Sequence, residues 1–428
     1  MSVSMKDSGV EWIGEIPEGW RKDKLFRITE FVASGGTPTS TNPDYYGGDI
    51  SWVQTGDLND GYIDKSSKKI TKHGLDNSSA KIFPKGTLLI AMYGATIGKL
   101  GIMNIKASTN QACCAMKYHK RMDSKFMFYI FLAMKKHLIN QSYGGGQPNI
   151  SQDIIKQQYF YFPHLSEQKA IANHLDQATK KIDEVIKTKK LQLKSLDKLK
   201  QSIIYQAVTK GLNREVALKD SGVEWIGEIP EHWEVKMIKR FASIKRGASP
   251  RPIASQKYFD DNGEFAWVRI ADVSASNKFL ENTTQRLSVL GSKYSVKQYP
   301  NDLFISIAGT VGKPIISKIK CCIHDGFVWF DKPTFNKEYL YFIFYAKLPY
   351  GGLGKLGTQL NLNTDTIGKI YIPVMPKEEG VKIVEYLNKE VEKINTLEEN
   401  VKEQIKKLEA YRKSLIYEYV TGKKQIKE

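Results

Sequence analysis

The sequence predicts an α+β protein in which two mixed α/β domains, related by a pseudo-two-fold axis, are separated by two long antiparallel coiled-coil helices. Three observations carry this prediction: a long internal repeat, short β-branched and aromatic runs in each copy, and a segment with helical periodicity after each copy. We expect the first domain over 1–164, its helix over 165–212, the second domain over 213–375 and its helix over 376–428.

Each copy of the repeat opens with the same signature. Residues 6–20 read KDSGVEWIGEIPEGW and residues 219–233 read KDSGVEWIGEIPEHW, so fourteen of fifteen positions return at an offset of 213. Solenoid repeats recur every ~20 to 50 residues, so this much longer period indicates that each copy is a globular module. The 428 residues fit two domains of roughly 100 to 200 residues, each large enough to bury a core.

Landmarks within each copy keep their order, whereas the sequence between them diverges. The landmarks are Trp-x4-Asp at Trp52 to Asp57 and Trp267 to Asp272, Thr-x-Gly-Lys at Thr96 to Lys99 and Thr310 to Lys313, and a Gln-x-Asn pair at Gln147 and Gln359. Residues 39–51 and 59–85 bear little relation to residues 251–266 and 274–300. A shared scaffold with different surfaces predicts two modules with two specificities.

Short apolar runs within the modules indicate strands. The runs 88–92, 158–162, 303–307 and 370–372 are rich in β-branched, aliphatic and aromatic residues and are bounded by Gly, Pro or Asn. Each module is therefore predicted to mix strands with helices.

Apolar residues at alternating steps of four and three predict a long helix after each module, over 166–210 and 381–421. The predicted coiled-coil seam comprises Ile171, Leu175, Ala178, Ile182, Val185, Leu196, Leu199 and Ile203 in the first helix, and Ile383, Leu387, Val391, Ile394, Leu397, Val401, Ile405, Leu408, Tyr411, Leu415 and Tyr419 in the second. Gly211 and Gly422 stand where a helix end favours a left-handed residue. About 40 helical residues span ~60 Å, enough to hold two domains apart.

Composition narrows the classes of function. Lysine and arginine exceed aspartate and glutamate by 64 − 46 = 18, and the isoelectric point is near 9.4, as expected of a polyanion binder, although a merely basic surface is the alternative. The cysteines form two adjacent pairs, which lack the C-x2-C spacing of zinc sites, so we expect free buried thiols in a reducing cytoplasm. Without an apolar leader or a membrane-length run, we expect a soluble, unexported, cytoplasmic protein with no membrane partner.

No catalytic motif is complete. Residues 42–45 (NPDY) approximate the NPPY motif of amino-methyltransferases, but a glycine-rich S-adenosylmethionine loop is not evident upstream, so a plain Asn-Pro turn is the simpler interpretation. Glu231, Glu234 and Lys236 are spaced too tightly for a metal-dependent nuclease site. The run 94–99 (GATIGK) lacks the spacing and the Ser or Thr of a phosphate-binding P-loop.

Several polar residues at the landmarks are candidates for contact with nucleic acid. Arginine can grip guanine edges with two hydrogen bonds, lysine neutralises phosphate, and glutamine or asparagine pairs with adenine. For each of them, an ordinary solvated or turn-stabilising role is the alternative. The candidates are Thr96, Lys99, Gln147, Asn149, Arg246, Arg251, Arg269, Thr310, Lys313, Gln359 and Asn361.

Together, the doubled SGVEWIGEIPE-x-W signature, the Trp-x4-Asp and Thr-x-Gly-Lys landmarks and a Ser-Glu-Gln-Lys helix start at Ser166 resemble the specificity subunit of type I restriction-modification systems. The resemblance covers essentially the entire chain. It departs from the pattern at the second helix, which begins with Lys377-Glu378-Glu379-Gly380.

The resemblance implies a non-catalytic reader of double-stranded DNA, with one half-site for each target recognition domain and a spacer set by the helices. It implies two modification subunits, which carry adenine methyltransferase activity and bind S-adenosylmethionine, and restriction subunits, which use ATP. The chain itself would need no cofactor, and S-adenosylmethionine, ATP and magnesium would belong to the partners. The residues alone leave open a self-contained methyltransferase or nuclease, a DNA-binding regulator without enzymatic partners, and a coiled-coil scaffold.

Overall fold

A computed structural model of the chain describes residues 4–142, 148–350 and 362–426. The chain divides into two compact units: unit 1 comprises Met1–Lys190 and Glu403–Glu428, and unit 2 comprises Leu191–Lys402. Each unit therefore contains one signature, one set of sheets and part of each of the two long helices.

The first copy of the repeat contains thirteen strands among its described residues. They are β1 (Met5–Asp7), β2 (Glu15–Pro17), β3 (Arg21–Lys24), β4 (Thr29–Ser34), β5 (Tyr46–Val53), β6 (Gly61–Ile63), β7 (Lys68–Ile70), β8 (Ile82–Phe83), β9 (Leu88–Ala91), β10 (Leu100–Met103), β11 (Ala107–Thr109), β12 (Cys113–Tyr118) and β13 (Tyr159–Phe162). Its helices are α1 (Leu25–Ile28), α2 (Lys72–Asp76), α3 (Ser124–Asn140), α4 (Gln152–Gln157) and α5 (Leu165–Lys210).

The second copy contains thirteen further strands in its described part. They are β14 (Leu218–Asp220), β15 (Glu228–Pro230), β16 (Glu234–Met237), β17 (Ser243–Arg246), β18 (Phe265–Val268), β19 (Phe279–Leu280), β20 (Gln285–Leu287), β21 (Val296–Gln298), β22 (Leu303–Ser306), β23 (Pro314–Ser317), β24 (Cys321–Ile323), β25 (Phe327–Asp331) and β26 (Tyr371–Val374). Its helices are α6 (Ile270–Ala275), α7 (Val289–Lys293), α8 (Lys337–Tyr345), α9 (Thr364–Gly368) and α10 (Lys377–Val420).

The two copies have the same sheet topology, strand for strand. The first contains a five-stranded sheet of order β4-β12-β9-β10-β6 and a four-stranded sheet of order β7-β5-β11-β8. Raising every strand number by thirteen gives the sheets of the second copy, β17-β25-β22-β23-β19 and β20-β18-β24-β21. Strands β9, β13, β22 and β26 coincide with the four apolar runs, so the predicted strands and the α+β class are confirmed.

The central strands are buried on both faces, which explains their continuous apolar runs. Along β9, Leu88 and Ile90 belong to the core that includes α3, whereas Leu89 and Ala91 belong to the core shared with the four-stranded sheet. Successive side chains of a strand point to opposite faces, so each core receives every second residue. The five-stranded sheet therefore forms the middle layer of its unit.

The same alternation explains the adjacent cysteines. Cys113 and Cys114 are neighbours on β12, and their side chains enter different cores. All four cysteines are free and buried, as predicted. Burial raises the pKa of each of these two thiols to about 12, so both stay protonated and unreactive at neutral pH.

Helices α5 and α10 are 46 and 44 residues long, as the periodicity predicts. Within unit 1 they run antiparallel: the rings of His174 and Tyr419 lie 4.5 Å apart, and Asp183 Oδ1 accepts a hydrogen bond from Arg412 Nε at 2.9 Å. As the residue number rises on α5, the number of its partner on α10 falls.

The predicted seam is wrong at four positions. Val185, Leu199, Leu397 and Tyr411 are exposed by 44%, 49%, 51% and 54%. In each case the next residue along the helix is less exposed than the predicted one, and these residues are Ile186, Lys200, Glu398 and Arg412. An α-helix has 3.6 residues per turn, so an unbroken run of four-and-three steps drifts around the helix by about 20° per heptad, and the buried stripe moves by one residue.

A polar pair occupies the helix interface of unit 2. Lys200 Nζ lies 2.9 Å from Glu398 Oε1 and donates to Asn395 Oδ1 at 2.9 Å, and the Lys200 and Glu398 side chains are only 4% and 16% exposed. Burial lowers the pKa of Lys200, but its contacts with Glu398 and Tyr345 outweigh burial, so the pKa is raised and the Lys200 ammonium is charged at neutral pH. A single polar contact in an apolar seam fixes the register of two helices.

The signature holds the ends of both long helices. In unit 1, the Trp20 indole lies beside Glu167 near the start of α5 and packs against Gly422 after α10, where φ is +72°. A Cβ at Gly422 would collide with the Pro17 ring, so only glycine fits. Tyr417 and Lys423 both donate to the carbonyl of Ile13, which closes the joint.

Unit 2 repeats this joint. Trp233 Nε1 donates to Glu379 Oε2 at 3.0 Å, and the indole lies against Gly211, where φ is +71°. Glu379 thus takes the place of Glu167, although the rest of the Ser-Glu-Gln-Lys motif is absent from α10. The glutamate is the part of the helix start that this joint requires.

A charged clamp joins each module to its own long helix, with a different arrangement in each unit. In unit 1, Lys125 on α3 pairs with Asp176 on α5 at 2.6 Å. In unit 2, the equivalent of Lys125 is Glu338 on α8, which accepts from Asn388 on α10 at 2.9 Å and from Lys278. The acidic side chain is therefore on the long helix in unit 1 and on the module in unit 2.

We predict that Lys200→Met destabilises the chain by roughly 3–5 kcal/mol, because it leaves the Glu398 carboxylate buried without its cation. The double change Lys200→Met with Glu398→Leu should recover most of this loss, because two apolar side chains leave no buried charge. Urea denaturation would give the free energies of unfolding.

The matched control for this prediction is the exposed pair of Lys393 and Glu390 on α10, whose side chains are 57% and 26% exposed. Lys393→Met should cost less than about 1 kcal/mol. Equal effects of Lys200→Met and Lys393→Met would show that burial of the first pair contributes nothing.

Candidate nucleic-acid interface

The topology gathers several loops at one edge of the sheets in unit 1. Cys114 pairs with Ser34 and Cys113 with Ala91, so β4 and β9 end where β12 begins. Thr109 pairs with Val53 in parallel, so β5 and β11 end together. We call the resulting surface the loop edge of unit 1; it comprises residues 35–39, 54–57, 92–99, 110–112 and 148–150.

Backbone contacts fasten the loop edge of unit 1 together. Gly36 N donates to Thr109 O at 2.9 Å, Asn110 N donates to Val53 O at 3.0 Å, and Ile150 N donates to Met92 O at 2.8 Å. The loops therefore sit on the ends of paired strands, as loops that carry binding residues commonly do.

Unit 2 presents an equivalent surface, the loop edge of unit 2, which comprises residues 247–251, 269–272, 307–313 and 324–326. Ala248 N donates to Ile323 O at 3.1 Å, as Gly36 N does to Thr109 O. Ser249 Oγ donates to Asp325 Oδ1 at 2.8 Å, and Thr37 makes the same kind of contact with Gln111. The scaffold is shared, while the side chains displayed on it differ.

Seven of the eleven candidate residues lie on these two surfaces, and an eighth, Arg246, immediately precedes the loop edge of unit 2. The loop edge of unit 1 contains Thr96, Lys99 and Asn149, and that of unit 2 contains Arg251, Arg269, Thr310 and Lys313. The other three candidates, Gln147, Gln359 and Asn361, lie outside the described residues.

The Thr-x-Gly-Lys landmark forms the turn between two neighbouring strands in each unit. Gly98 has φ of +74° and donates to Ala91 O at 2.8 Å, and Gly312 has φ of +84° and donates to Ser306 O at 2.7 Å. Both are left-handed positions that favour glycine. The motif thus fixes the shape of the turn that places the threonine and the lysine.

The two landmark lysines have different surroundings. Lys313 Nζ donates to the carbonyls of Ser274 at 3.1 Å and Ser276 at 2.6 Å, and burial followed by repulsion from Lys347 lowers its pKa. Lys99 is half-buried. An ammonium has three donors, and two of those of Lys313 brace the turn.

Two arginines contact Asp325 at the loop edge of unit 2, one through its backbone carbonyl and one through its carboxylate. Arg246 Nε donates to the backbone carbonyl of Asp325, and Arg251 Nη2 lies 3.6 Å from Asp325 Oδ2. The hydrogen bond from Ser249 lowers the pKa of Asp325, so this carboxylate is ionised. The Arg251 side chain is 81% exposed, which leaves its guanidinium available to an anionic ligand.

Sequence reasoning missed the equivalent of Arg269 in unit 1. Gln54 follows β5 as Arg269 follows β18, and an aspartate three residues later holds each in the same way: Asp57 Oδ2 accepts from Gln54 N at 2.8 Å, and Asp272 Oδ2 accepts from Arg269 N at 2.9 Å. The Trp-x4-Asp landmark contains both positions and could have found Gln54.

Asn110 in unit 1 and His324 in unit 2 also occupy equivalent positions and carry different side chains. Each follows a central strand, β11 or β24. The His324 ring lies 5.8 Å from Trp267 and 4.7 Å from Phe327, and its Nδ1 accepts a hydrogen bond from Gly326 N at 2.8 Å. Burial lowers the pKa of His324, Asp325 opposes this and Arg246 adds to it, so the ring is neutral at pH 7.

The described residues contain no metal centre or membrane span. No group of three or more His, Cys, Asp or Glu side chains in 4–142, 148–350 and 362–426 could hold a metal ion. None of the helices in these ranges combines the length and apolar character that crossing a bilayer requires.

We predict that unit 2 loses stability as the pH falls below about 6.5, the ordinary pKa of histidine. The folded state favours neutral His324, so this contribution is present above pH 6.5 and is lost as the pH falls through the lowered folded pKa. His324→Asn, the residue found at position 110, should reduce the drop in melting temperature between pH 7.5 and pH 5.

His119→Asn, at an exposed histidine of unit 1, is the control and should leave the drop in melting temperature unchanged. If His324→Asn and the unaltered chain lose the same number of degrees, titration of His324 makes no contribution to acid sensitivity.

Comparison with known proteins agrees with this architecture. The family model described as "Type I restriction modification DNA specificity domain" matches residues 17–195 and 230–407, one match for each copy of the repeat. Two solved structures share the fold over 95% of this chain. One is a chain from a structure on complex assembly and conformational transition of the type I R-M system, with a TM-score of 0.74, 17% identity and 99% of that chain covered. The other is the HsdS subunit from Thermoanaerobacter tengcongensis, with a TM-score of 0.51, 19% identity and 98% of that chain covered.

Two of the relatives in sequence come from Methanocaldococcus jannaschii. The type I restriction enzyme MjaVIII specificity subunit is 27% identical over 96% of this chain and 94% of its own length. The MjaIX specificity subunit is 29% identical over 60% of this chain, and the chain spans only 59% of that relative's length. With a family match in both halves, the chain belongs to the non-catalytic specificity subunits of type I restriction-modification enzymes.

Proposed function

We propose that this chain reads an asymmetric, bipartite target in double-stranded DNA and directs partner methyltransferase and restriction subunits to it. The observation that carries the proposal is the pair of loop edges, which share one strand topology and display different side chains. Two equivalent scaffolds with unlike surfaces would read two unlike half-sites, one for each unit.

Charge and side-chain chemistry support DNA as the ligand. The formal net charge of +18 favours a polyanion, and both loop edges carry cationic side chains. Lys99 and the remaining donor of Lys313 would contact phosphates and fix the position of each unit, whereas the divergent residues would read base edges in the groove. Affinity should therefore fall linearly with the logarithm of salt concentration.

The long helices would set the distance between the half-sites. Two readers on one face of a duplex sit roughly one turn apart, or about 10 base pairs centre to centre. Because α5 and α10 are continuous and pair through a fixed register, they would act as a ruler, and the bases between the half-sites would be left unread.

Catalysis would come from partner subunits. Two modification subunits would bind S-adenosylmethionine and methylate adenines, and restriction subunits would use ATP and magnesium for translocation and cleavage. The complex would work in the cytoplasm, where its DNA target lies. The exposed apolar side chains of Val185, Leu199, Leu397 and Tyr411 on the long helices offer contact area for such partners.

The proposal predicts that the chain, expressed with its methyltransferase subunit, co-purifies with it and causes methylation at one asymmetric bipartite sequence. Mapping of methylated adenines across the host genome would identify the two half-sites and the spacer. Methylation without this chain would identify a self-sufficient methyltransferase, and DNA binding with no associated methyltransferase would favour a stand-alone regulator.

A second prediction concerns the length of the two long helices and the length of the spacer. Deleting residues 189–195 from α5 and 401–407 from α10 removes one heptad from each helix and about 10 Å of rise, equivalent to roughly three base pairs. The preferred spacer should shorten while both half-sites keep their sequence. The measurement is methylation of a duplex library in which spacer length varies.

Duplicating the same two heptads is the matched control and should lengthen the preferred spacer. An unchanged spacer in both variants would show that the helices do not set the distance between the half-sites.

A further inference from the structure

We infer that Gln54 and Arg269 are specificity-determining residues of the two half-sites, with Gln54 reading an adenine and Arg269 a guanine. This inference rests on the proposed function and names the residues through which it works. The supporting observation is that these two residues occupy equivalent positions, where the backbone makes the same contact with an aspartate but the side chains differ.

An aspartate three residues later holds the backbone at both positions. Asp57 accepts from the backbone N–H of Gln54 at 2.8 Å and from that of Ser67 at 3.1 Å. Asp272 accepts from the N–H of Arg269 at 2.9 Å. Because the aspartate supplies the structural contact, the residue three positions before it can change without loss of the turn.

Both side chains are attached to a rigid part of the backbone. Gln54 and Arg269 directly follow Val53 and Val268, which are fully buried at the ends of strands β5 and β18. Each strand is paired on both sides, with β7 and β11 in unit 1 and with β20 and β24 in unit 2. A side chain on such a rigid backbone loses little entropy on binding, which favours its use in a contact with a DNA base.

The donors of Arg269 are only partly used. Within the described residues, its Nη2 donates to Thr284 Oγ1, while its Nε makes no hydrogen bond and lies 3.6 Å from Asp272 Oδ2. The side chain is 42% exposed. A guanidinium has five N–H donors, so Thr284 and Asp272 orient the group and leave donors free for a ligand.

The chemistry assigns one base to each side chain. Arginine forms two hydrogen bonds with O6 and N7 of guanine, and glutamine forms two with N6 and N7 of adenine in the major groove. The two half-sites would then differ at equivalent positions, with adenine for unit 1 and guanine for unit 2. This difference accounts for part of the asymmetry of the target.

Neighbouring residues at each loop edge are also polar and also differ between the units. Gln111 in unit 1 corresponds to Asp325 in unit 2, and Asn110 corresponds to His324. Gln54 and Arg269 therefore belong to two different sets of polar side chains on one scaffold. Their exchange should alter one base preference and leave the rest of each set in place.

The experiment uses the complex of this chain with its methyltransferase subunit and a duplex library randomised at each half-site position. Gln54→Arg should change one position of one half-site from adenine to guanine, and Arg269→Gln should change one position of the other from guanine to adenine. Gln54→Ala and Arg269→Ala should each relax that same position, reducing discrimination there by about fivefold to a hundredfold.

Two controls carry the same change in charge at other sites. Arg240→Gln and Gln177→Arg alter exposed residues outside both loop edges and should leave every base preference unchanged. Thermal melting of each variant complex tests whether it is folded, and the alanine variants provide a readout should a charge-changing variant misfold.

The outcomes separate this inference from the proposed function. If the unaltered complex methylates a bipartite target and the Gln54 and Arg269 variants keep all base preferences, the inference is wrong and the proposed function stands. A change that affects both half-sites equally would also overturn it. If the unaltered complex shows no bipartite target, the proposed function itself fails.

Discussion

One tryptophan in each unit fixes the relation between a sheet module and the two long helices. The Trp20 indole lies beside Glu167 near the start of α5 and packs against Gly422 after the end of α10. The Trp233 indole donates to Glu379 and packs against Gly211. Glycine is required at each helix end because φ is positive and a side chain there would crowd the signature.

This constraint explains why the signature is the most exactly repeated part of the chain. Its residues pack against backbone atoms and glycine, where there is little room for a different side chain, so the same residues appear in both units. The side chains at the loop edges are not confined in this way. Their backbone is held by a few aspartate, glycine and carbonyl contacts, and the side chains between these contacts can differ between the units.

Much of the fold could be predicted from the sequence because its signals are local. The long repeat, the buried strands such as β9 and β22, and the two uninterrupted helices all follow from patterns within one segment. The seam of the helix pair was wrong at Val185 and Leu199, because the buried face depends on how far two particular helices twist around each other. Periodicity in one helix does not contain that information.

The candidate nucleic-acid interface, too, could be predicted only in part from the sequence. Arg269 could be selected because arginine is a strong candidate for contact with DNA, whereas Gln54 could be found only by comparing the two Trp-x4-Asp landmarks position by position. The bracing role of Lys313 was hidden for a similar reason, since the carbonyls of Ser274 and Ser276 lie far from it in the sequence. Contacts between distant segments define this surface, and sequence spacing does not reveal them.

The differing charged clamps have a consequence for how the chain assembles as it folds. The chain contains two similar sheet modules and two similar long helices, so each module could in principle capture the wrong helix start. A module that carries Glu338 would then meet Asp176, whose carboxylate cannot donate the hydrogen bond that Glu338 accepts from Asn388. A module that carries Lys125 would meet the neutral Asn388 and lose its ion pair. An exchange of the two helices would thus remove one contact in each unit, which favours pairing of each module with the helix that follows it in the chain.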